Sequence, residues 1–218
     1  MRNQEKDYSG VSVQALWRLP YYLNYIKSLD EAKYSCISAP IIAKALNLNE
    51  VQVRKDLAAV SNSGGKPKTG YVAKELISDL EEFLGYNSVD EAILVGVGHL
   101  GKALLSYQGF ENCGLNILMG FDKDEAIIGT NVCGKQILPL DKLKDLCWRM
   151  SVNVGIITVP AKEAQMICDM LVEAGIRAIW NFAPVHLHVP DYVLVQNENL
   201  AASLAVLSKN LTESLKEK

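Results

Sequence analysis

Leu19, Leu23, Ile26 and Leu29 recur along "WRLPYYLNYIKSL" at the spacing of one helical face, and Pro20 fits such a helix if it lies in the first turn. A second helix is predicted over "SAPIIAKALNL", with Ser38 as N-cap and Pro40 near the start, where a missing amide does no harm. After a break at "NLN", the stretch "NEVQVRKDLAAVS" predicts a third helix. Its Val53, Leu57 and Val60 share the inward face, while Val51, Arg54, Lys55 and Ala58 project outward with Gln52 at the margin. Two short helices joined by a tight turn after a longer one form a helix-turn-helix pattern.

The outward face of the third helix has the chemistry of a major-groove reader. Arg and Lys can donate to guanine or phosphate, Gln can pair with adenine, and an exposed Val can touch a thymine methyl. An isolated Arg-Lys pair is more often the mark of an ordinary solvated face. The next segment, "SGGKPKTGYVAKEL", tips the balance: its glycines and Pro67 predict a turn, and "TGYVAKEL" is expected to return as a strand of a β-hairpin with Lys66 and Lys68 at its tip. Helix-turn-helix plus basic hairpin reads as a winged helix, with the tip lysines along the phosphate backbone or in the minor groove. Ser38 and Asn49, which open the second and third helices, complete the DNA-facing candidates.

Further on, the pattern changes to strands alternating with helices. "AILVGV" reads as a buried strand, and Gly96, Gly98 and Gly101 form G-x-G-x-x-G between it and the helix "HLGKALLSY", which is expected to open at the third glycine. This is the context in which the motif binds a dinucleotide, through a tight turn, close approach of backbone to pyrophosphate, and a helix N-terminus. Val97, His99 and Leu100 lie within the loop. A second strand, "LNILMGFD", ends in Asp122, about 20 residues past Gly101, where an acid accepts from the ribose hydroxyls and favours NAD(H) over NADP(H). Lys123, beside it, could soften that preference. The alternation continues through "NVGIITVP", "AKEAQMICDMLVEAG" and "IRAIWNFAP", which implies a doubly wound, mostly parallel sheet with helices on both faces. Ligands bind at the carboxyl ends of such strands, so the loops Thr158, Val159, Pro160 and Asn181, Phe182, Ala183, Pro184 are further cofactor candidates.

The last stretch, "NLAASLAVLSKNLTESLKEK", is a helix with Leu200, Leu204, Leu207, Leu211 and Leu215 on one stripe, leaving no room for a catalytic domain. His186 and His188 lack a third metal ligand or an evident carboxylate partner, so catalytic and metal residues are expected to be absent. The bound nucleotide is expected to be read, not consumed. Charge supports the division: residues 1–75 hold 11 Lys and Arg against 7 Asp and Glu, while the remainder holds 11 against 18. A basic front and an acidic back point to a polyanionic partner for the front alone. The five cysteines are scattered without CxxC spacing and read as small buried hydrophobes. No apolar run reaches the roughly 18 residues of a membrane span, and the N-terminus shows no secretion signal, so a cytoplasmic protein is expected.

The segments "RLPYYL", "QVRKDL", "GVGHLGKALLSY", "GFD", "IITVPAKEAQ" and "GIRAIWNFAPV" resemble, in order and spacing and across nearly the whole chain, the Rex family of redox-sensing transcriptional repressors. The resemblance implies a winged-helix DNA-binding domain (1–85), a Rossmann NAD(H)-binding domain (86–198) and a C-terminal dimerisation helix (199–218) exchanged between subunits. It further implies a homodimer that binds double-stranded operator DNA and releases it when NADH replaces NAD+. By position it assigns DNA contact to the third helix around Gln52, Arg54 and Lys55, and nucleotide binding to Gly96 through Gly101 with Asp122. Tyr107 matches a tyrosine of the redox switch, and Asn199 stands where an acid partnering the switch is common. His99 replaces a frequent Asn, and the wing lacks the Arg-Gly-rich sequence of many relatives. The alternative reading is a small NAD-dependent oxidoreductase with an N-terminal interaction domain.

Overall fold

The computed structural model describes residues 10–29 and 34–216. The stretch read for a secretion signal therefore lies outside the described residues except for Gly10, as does the Leu200 side chain of the leucine stripe. The chain divides into two compact units, Met1–Ser88 and Val89–Lys218.

In the first unit, α1 (Val13–Lys27) is followed by β1 (Cys36–Ile37), α2 (Ala39–Leu46), α3 (Glu50–Val60), β2 (Tyr71–Val72) and α4 (Ala73–Leu84). Ser12 caps α1 by accepting the Ala15 amide at 3.2 Å. The helix thus begins well before Pro20, which falls in its middle and not in its first turn. The ring forfeits one backbone bond there, and the packing of Leu19, Tyr22, Leu23 and Ile26, all buried, keeps the helix intact. Each such side chain contributes roughly 1.5–3 kcal/mol of transfer free energy. Leu29 lies past the C-cap Ser28 and packs half-buried on the same core. Ser38 occupies the N-cap of α2 without a side-chain bond, whereas the Asn49 side chain caps α3 by accepting from the Gln52 amide at 3.2 Å.

The expected hairpin strand over "TGYVAKEL" is corrected. Only Tyr71 and Val72 are extended, and they pair antiparallel with Ile37 and Cys36, while the chain turns helical at Ala73. Leu76 and Leu80 bury at helical spacing in "AKELISDLEEFL", a period stronger than the turn signals before it. What remains of the wing is a tight loop closed by reciprocal backbone bonds between Lys66 and Gly70, at 2.8 and 2.9 Å.

The second unit is a seven-stranded sheet. Its elements are β3 (Asp90–Val95), α5 (His99–Ser106), β4 (Leu115–Asp122), β5 (Asn131–Val132), β6 (Lys135–Pro139), α6 (Leu143–Met150), β7 (Val154–Ile157), α7 (Ala161–Glu173), β8 (Ala178–Asn181), β9 (Leu194–Asn197) and α8 (Leu200–Lys216). The order β5-β6-β4-β3-β7-β8-β9 is parallel except for the β5–β6 hairpin. From β6 to β9 this is the Rossmann order, with the direction of winding reversing between β3 and β7. Side chains alternate across the sheet: Ile93 and Val95 face the core shared with α6 and α7, and Ala92 and Leu94 face Leu105 of α5. The reversal point lies beside the end of β3, where the glycine loop begins.

Candidate functional site

Gly96 follows β3 at φ 100°, a left-handed value that L side chains avoid. A Cβ there would lie 2.7 Å from Val159 Cγ1 and 2.9 Å from the Thr158 carbonyl carbon. One at Gly101 would overlap the Gly96 carbonyl oxygen, so the third glycine lets α5 sit against the strand end. The helix opens earlier than expected, at His99 with Gly98 as N-cap, and Gly98 has open space where a side chain would stand. Its backbone can be approached by a ligand at the positive end of α5. The Thr158 hydroxyl donates to the Gly96 carbonyl at 2.6 Å and fixes the loop from β7.

Asp122 ties the loop to β4. One carboxylate oxygen accepts the Val97 amide at 2.6 Å, and the other accepts the amides of Lys123 and Asp124 at 2.7 and 3.0 Å. A carboxylate offers about four lone-pair sites, so the first oxygen keeps one for a hydroxyl donor. Val97 itself is buried beneath the loop, while His99 and Leu100 are exposed on the first turn of α5. The Lys123 ammonium lies 2.6 Å from the Glu163 carboxylate of α7, an acid the sequence reading passed over because the two are far apart in the chain. A cleft of about 540 Å³ is lined by Gly96, Gly98, Asp122, Thr158, Val159 and Pro160. Backbone donors, a helix N-terminus and an acid with one acceptor site left make this lining fit a dinucleotide.

The turn Asn181–Pro184 is outside that lining. Asn181 is fully buried, its amide nitrogen donating to the carbonyls of Ala183 and Val185 and to Asn197 Oδ1, its oxygen accepting the Ala183 amide. Its side chain builds the turn and is closed to a ligand; Ala183 is buried, and Phe182 and Pro184 are the accessible members. Phe182 packs on Trp180, Trp180 meets Phe110 edge-on at 5.4 Å, and Phe110 meets Tyr107 edge-on at 4.8 Å. Trp180 Nε1 donates to Glu198 at 3.0 Å, and Asn199 next to it caps α8 by accepting the Ala202 amide at 3.0 Å. The row runs from Tyr107 through Trp180 to Glu198, the residue before Asn199.

In the first unit, Val51, Gln52, Arg54 and Lys55 are exposed on one side of α3, and Val53, Leu57 and Val60 are buried on the other. Arg54, Ser38, Lys66 and Lys68 surround a hollow of about 450 Å³ with Tyr71, so the start of α2, the outer face of α3 and the wing tip converge. Arg54 pairs with Glu50 one turn before it. Beneath this face is a network the outward-inward reading did not include. Asp56 lies among the buried positions of α3, and Arg18 Nε and Nη2 donate to it at 2.8 and 3.0 Å. Tyr22 donates to the same carboxylate at 2.8 Å, and burial, then that bond, push its phenol up to about 12. An acid in an apolar stripe requires a buried cation, which was the available signal.

His186 and His188 are exposed, and among the described residues no group of three or more His, Cys, Asp and Glu could hold a metal. The cysteine reading is corrected: Cys147 and Cys168 are buried and Cys36 is partly buried, but Cys113, which closes a short 3-10 helix, and Cys133, at a hairpin tip, are exposed. No helix among the described residues is long and apolar enough to cross a membrane.

Residues 10–58 match the family described as Putative DNA-binding protein N-terminus, and residues 87–185 match the CoA binding domain family. The redox-sensing transcriptional repressor Rex of Bacteroides thetaiotaomicron is 40% identical over 208 residues, covering 95% of this chain and 94% of the relative. The chain belongs to the Rex family. Rex of Treponema denticola is 42% identical over 190 residues, covering 87% of this chain and 90% of its own. Among solved structures, RSP, a Rex-family repressor, is similar at 33% identity and TM-score 0.81, covering 94% of this chain and 95% of RSP. RSP in complex with β-NAD+ and operator DNA matches at 32% identity and TM-score 0.83, covering 95% and 98%. RSP has also been solved with β-NADH. Rex relatives are transcriptional repressors, which sets aside the oxidoreductase alternative.

Proposed function

We propose that this Rex protein is a cytoplasmic repressor that binds operator DNA as a homodimer and leaves it when NADH occupies the cleft at Gly96–Gly101. The observation that carries this reading is the similarity of the chain, over 95% of its length, to a repressor whose structures hold NAD+ with operator DNA and, separately, NADH. DNA reading falls to residues 1–85, through Ser38, Asn49, Val51, Gln52, Arg54, Lys55, Lys66 and Lys68. Nucleotide binding falls to residues 86–198. The loop Gly96–Gly101 receives the pyrophosphate, Asp122 the adenosine ribose, and Thr158, Val159 and Pro160 flank the cleft. Helix α8 supports the dimer: Leu204, Leu207, Leu211 and Leu215 are each about 60% exposed along one stripe and need a cover.

NAD(H) supplies the redox signal through its nicotinamide ring, charged when oxidised and neutral when reduced. The neutral ring suits apolar surroundings better, and the aromatic row from Tyr107 to Phe182 offers such surroundings next to the start of α8. Two-fold symmetry would present two recognition helices to two half-sites. Fluorescence anisotropy of a labelled operator duplex, titrated with protein at fixed salt with and without NADH, tests the reading. NADH should weaken binding and NAD+ should not; equal effects of the two would overturn it.

A further inference from the structure

Arg18 does more than neutralise Asp56. Its guanidinium also meets the Gln52 side chain, which lies in the first turn of α3 and is exposed: one terminal atom of the amide sits 3.0 Å from Nη1 and 3.2 Å from Nη2, and because a guanidinium only donates, that atom is assigned as the amide oxygen. An amide oxygen has two lone pairs, and both are taken. The guanidinium cannot rotate away, because Nε and Nη2 are held by Asp56, Nε lies 3.2 Å from the Tyr22 hydroxyl, and the Arg18 side chain is only 17% exposed. What Gln52 has left is the amide NH2, with two donors and no acceptor.

We infer that Gln52 reads DNA as a donor only, so that it selects a base whose major-groove edge offers acceptors without a neighbouring donor and disfavours adenine. The usual pairing of Gln with adenine needs the amide oxygen to accept from N6 while the nitrogen donates to N7. With the oxygen held by Arg18, that pairing fails. Guanine presents two adjacent acceptors, N7 and O6, and thymine presents O4 with no donor on its own edge, whereas adenine sets its N6 donor beside N7 and so opposes a donor-only amide; guanine and thymine are therefore preferred. Arg18 is then a positioning residue for specificity, acting on DNA through Gln52. The inference rests on the proposed operator binding by α3.

The test is competitive selection from a duplex library with each operator position randomised, for the wild-type homodimer, Gln52→Ala and Gln52→Glu. Both changes are at an exposed position, and circular dichroism with denaturation midpoints checks that the fold is kept. The wild type should prefer guanine or thymine over adenine and cytosine roughly tenfold at one position per half-site, the relative enrichment of guanine and thymine telling which is read. Gln52→Ala should flatten that position alone. Gln52→Glu, an acceptor toward both Arg18 and DNA, should turn the preference to cytosine or adenine, whose edges donate. Adenine as the wild-type choice at the position Gln52→Ala flattens, or an unchanged profile in Gln52→Ala, overturns the inference while leaving operator binding standing. Absence of any sequence preference in the wild type overturns both.

Discussion

Arg18 on α1 and Asp56 on α3 form a two-pronged ion pair, with bonds of 2.8 and 3.0 Å across 38 positions of sequence. The pair joins α1 to α3, the proposed recognition helix, and Tyr22 closes the third side of the carboxylate. Removing one partner strands the other in a site with little water. Asp56→Ala should therefore destabilise the first unit by about 3 kcal/mol, while the matched Arg18→Met, Asp56→Leu double variant should lose markedly less. Urea denaturation followed by circular dichroism measures both; an equal loss would show that the pair acts through packing and not through charge.

Alkaline pH should loosen the two units over different ranges. Burial pushes the Cys147 and Cys168 thiols from 9.0 up to about 11, with nearby Asp169 adding to the second, and Tyr22 from 10.0 up to about 12. In each case the fold prefers the protonated form. As pH rises, the unfolded chain sheds its protons first, so stability is full below the unfolded value and falls until the folded value is passed. The second unit should weaken between about pH 9 and 11 and the first between about 10 and 12. Tyr22→Phe should remove most of the upper fall, at a loss near neutral pH of about 1 kcal/mol from the bond to Asp56. Denaturation midpoints across a pH series, read by a probe in each unit, decide this.

The glycines of the loop should separate stability from binding. Gly101→Ala forces a methyl group into the Gly96 carbonyl and should lower both stability and nucleotide affinity. Gly98→Ala meets open space in the fold, so its melting temperature should stay near wild type while NADH affinity falls, because the added methyl stands at the proposed pyrophosphate site. Calorimetric titration with NADH and thermal melts of both variants check the contrast.

Lys123 is held by Glu163, which leaves little positive charge for a phosphate on the adenosine ribose. Glu163→Gln frees the ammonium. Affinity for NADPH should rise severalfold relative to NADH in that variant, as expected when a cation becomes available to a phosphate at an exposed site. An unchanged ratio would mean that Asp122 alone sets the preference.

Legibility followed the range of the interactions. The strand, the glycine loop, the helix after it and Asp122 form one local pattern, and the sequence alone supplies a steric reason for each glycine. The apolar stripe of α3 was legible for the same reason, since Val53, Leu57 and Val60 answer to a period within one helix. Long-range partners were not: Arg18 with Asp56, Lys123 with Glu163, and Asn181 with Asn197 depend on which elements meet. The wing was misjudged because glycine and proline mark where a turn is, not how long the strand after it runs, and the helical period from Leu76 to Leu80 was the better guide. Pro20 was placed in a first turn because proline is best tolerated there, but Ser12 starts the helix earlier and buried side chains keep it whole. The short β9 carries too few residues to announce itself.

The central claim is that one chain couples nucleotide binding to DNA release, and thermodynamic linkage gives its most direct test. If NADH weakens operator affinity by some factor, operator DNA must weaken NADH affinity by the same factor, and a useful switch needs about 1–3 kcal/mol of coupling. NADH should be titrated into the free protein and into the protein saturated with operator duplex, at one salt concentration, with NAD+ in parallel. The account predicts that NADH binds the complex about 5- to 150-fold more weakly than the free protein, with NAD+ little affected. Equal NADH affinity for the free and operator-bound protein would contradict it, because a ligand that binds both states alike shifts nothing.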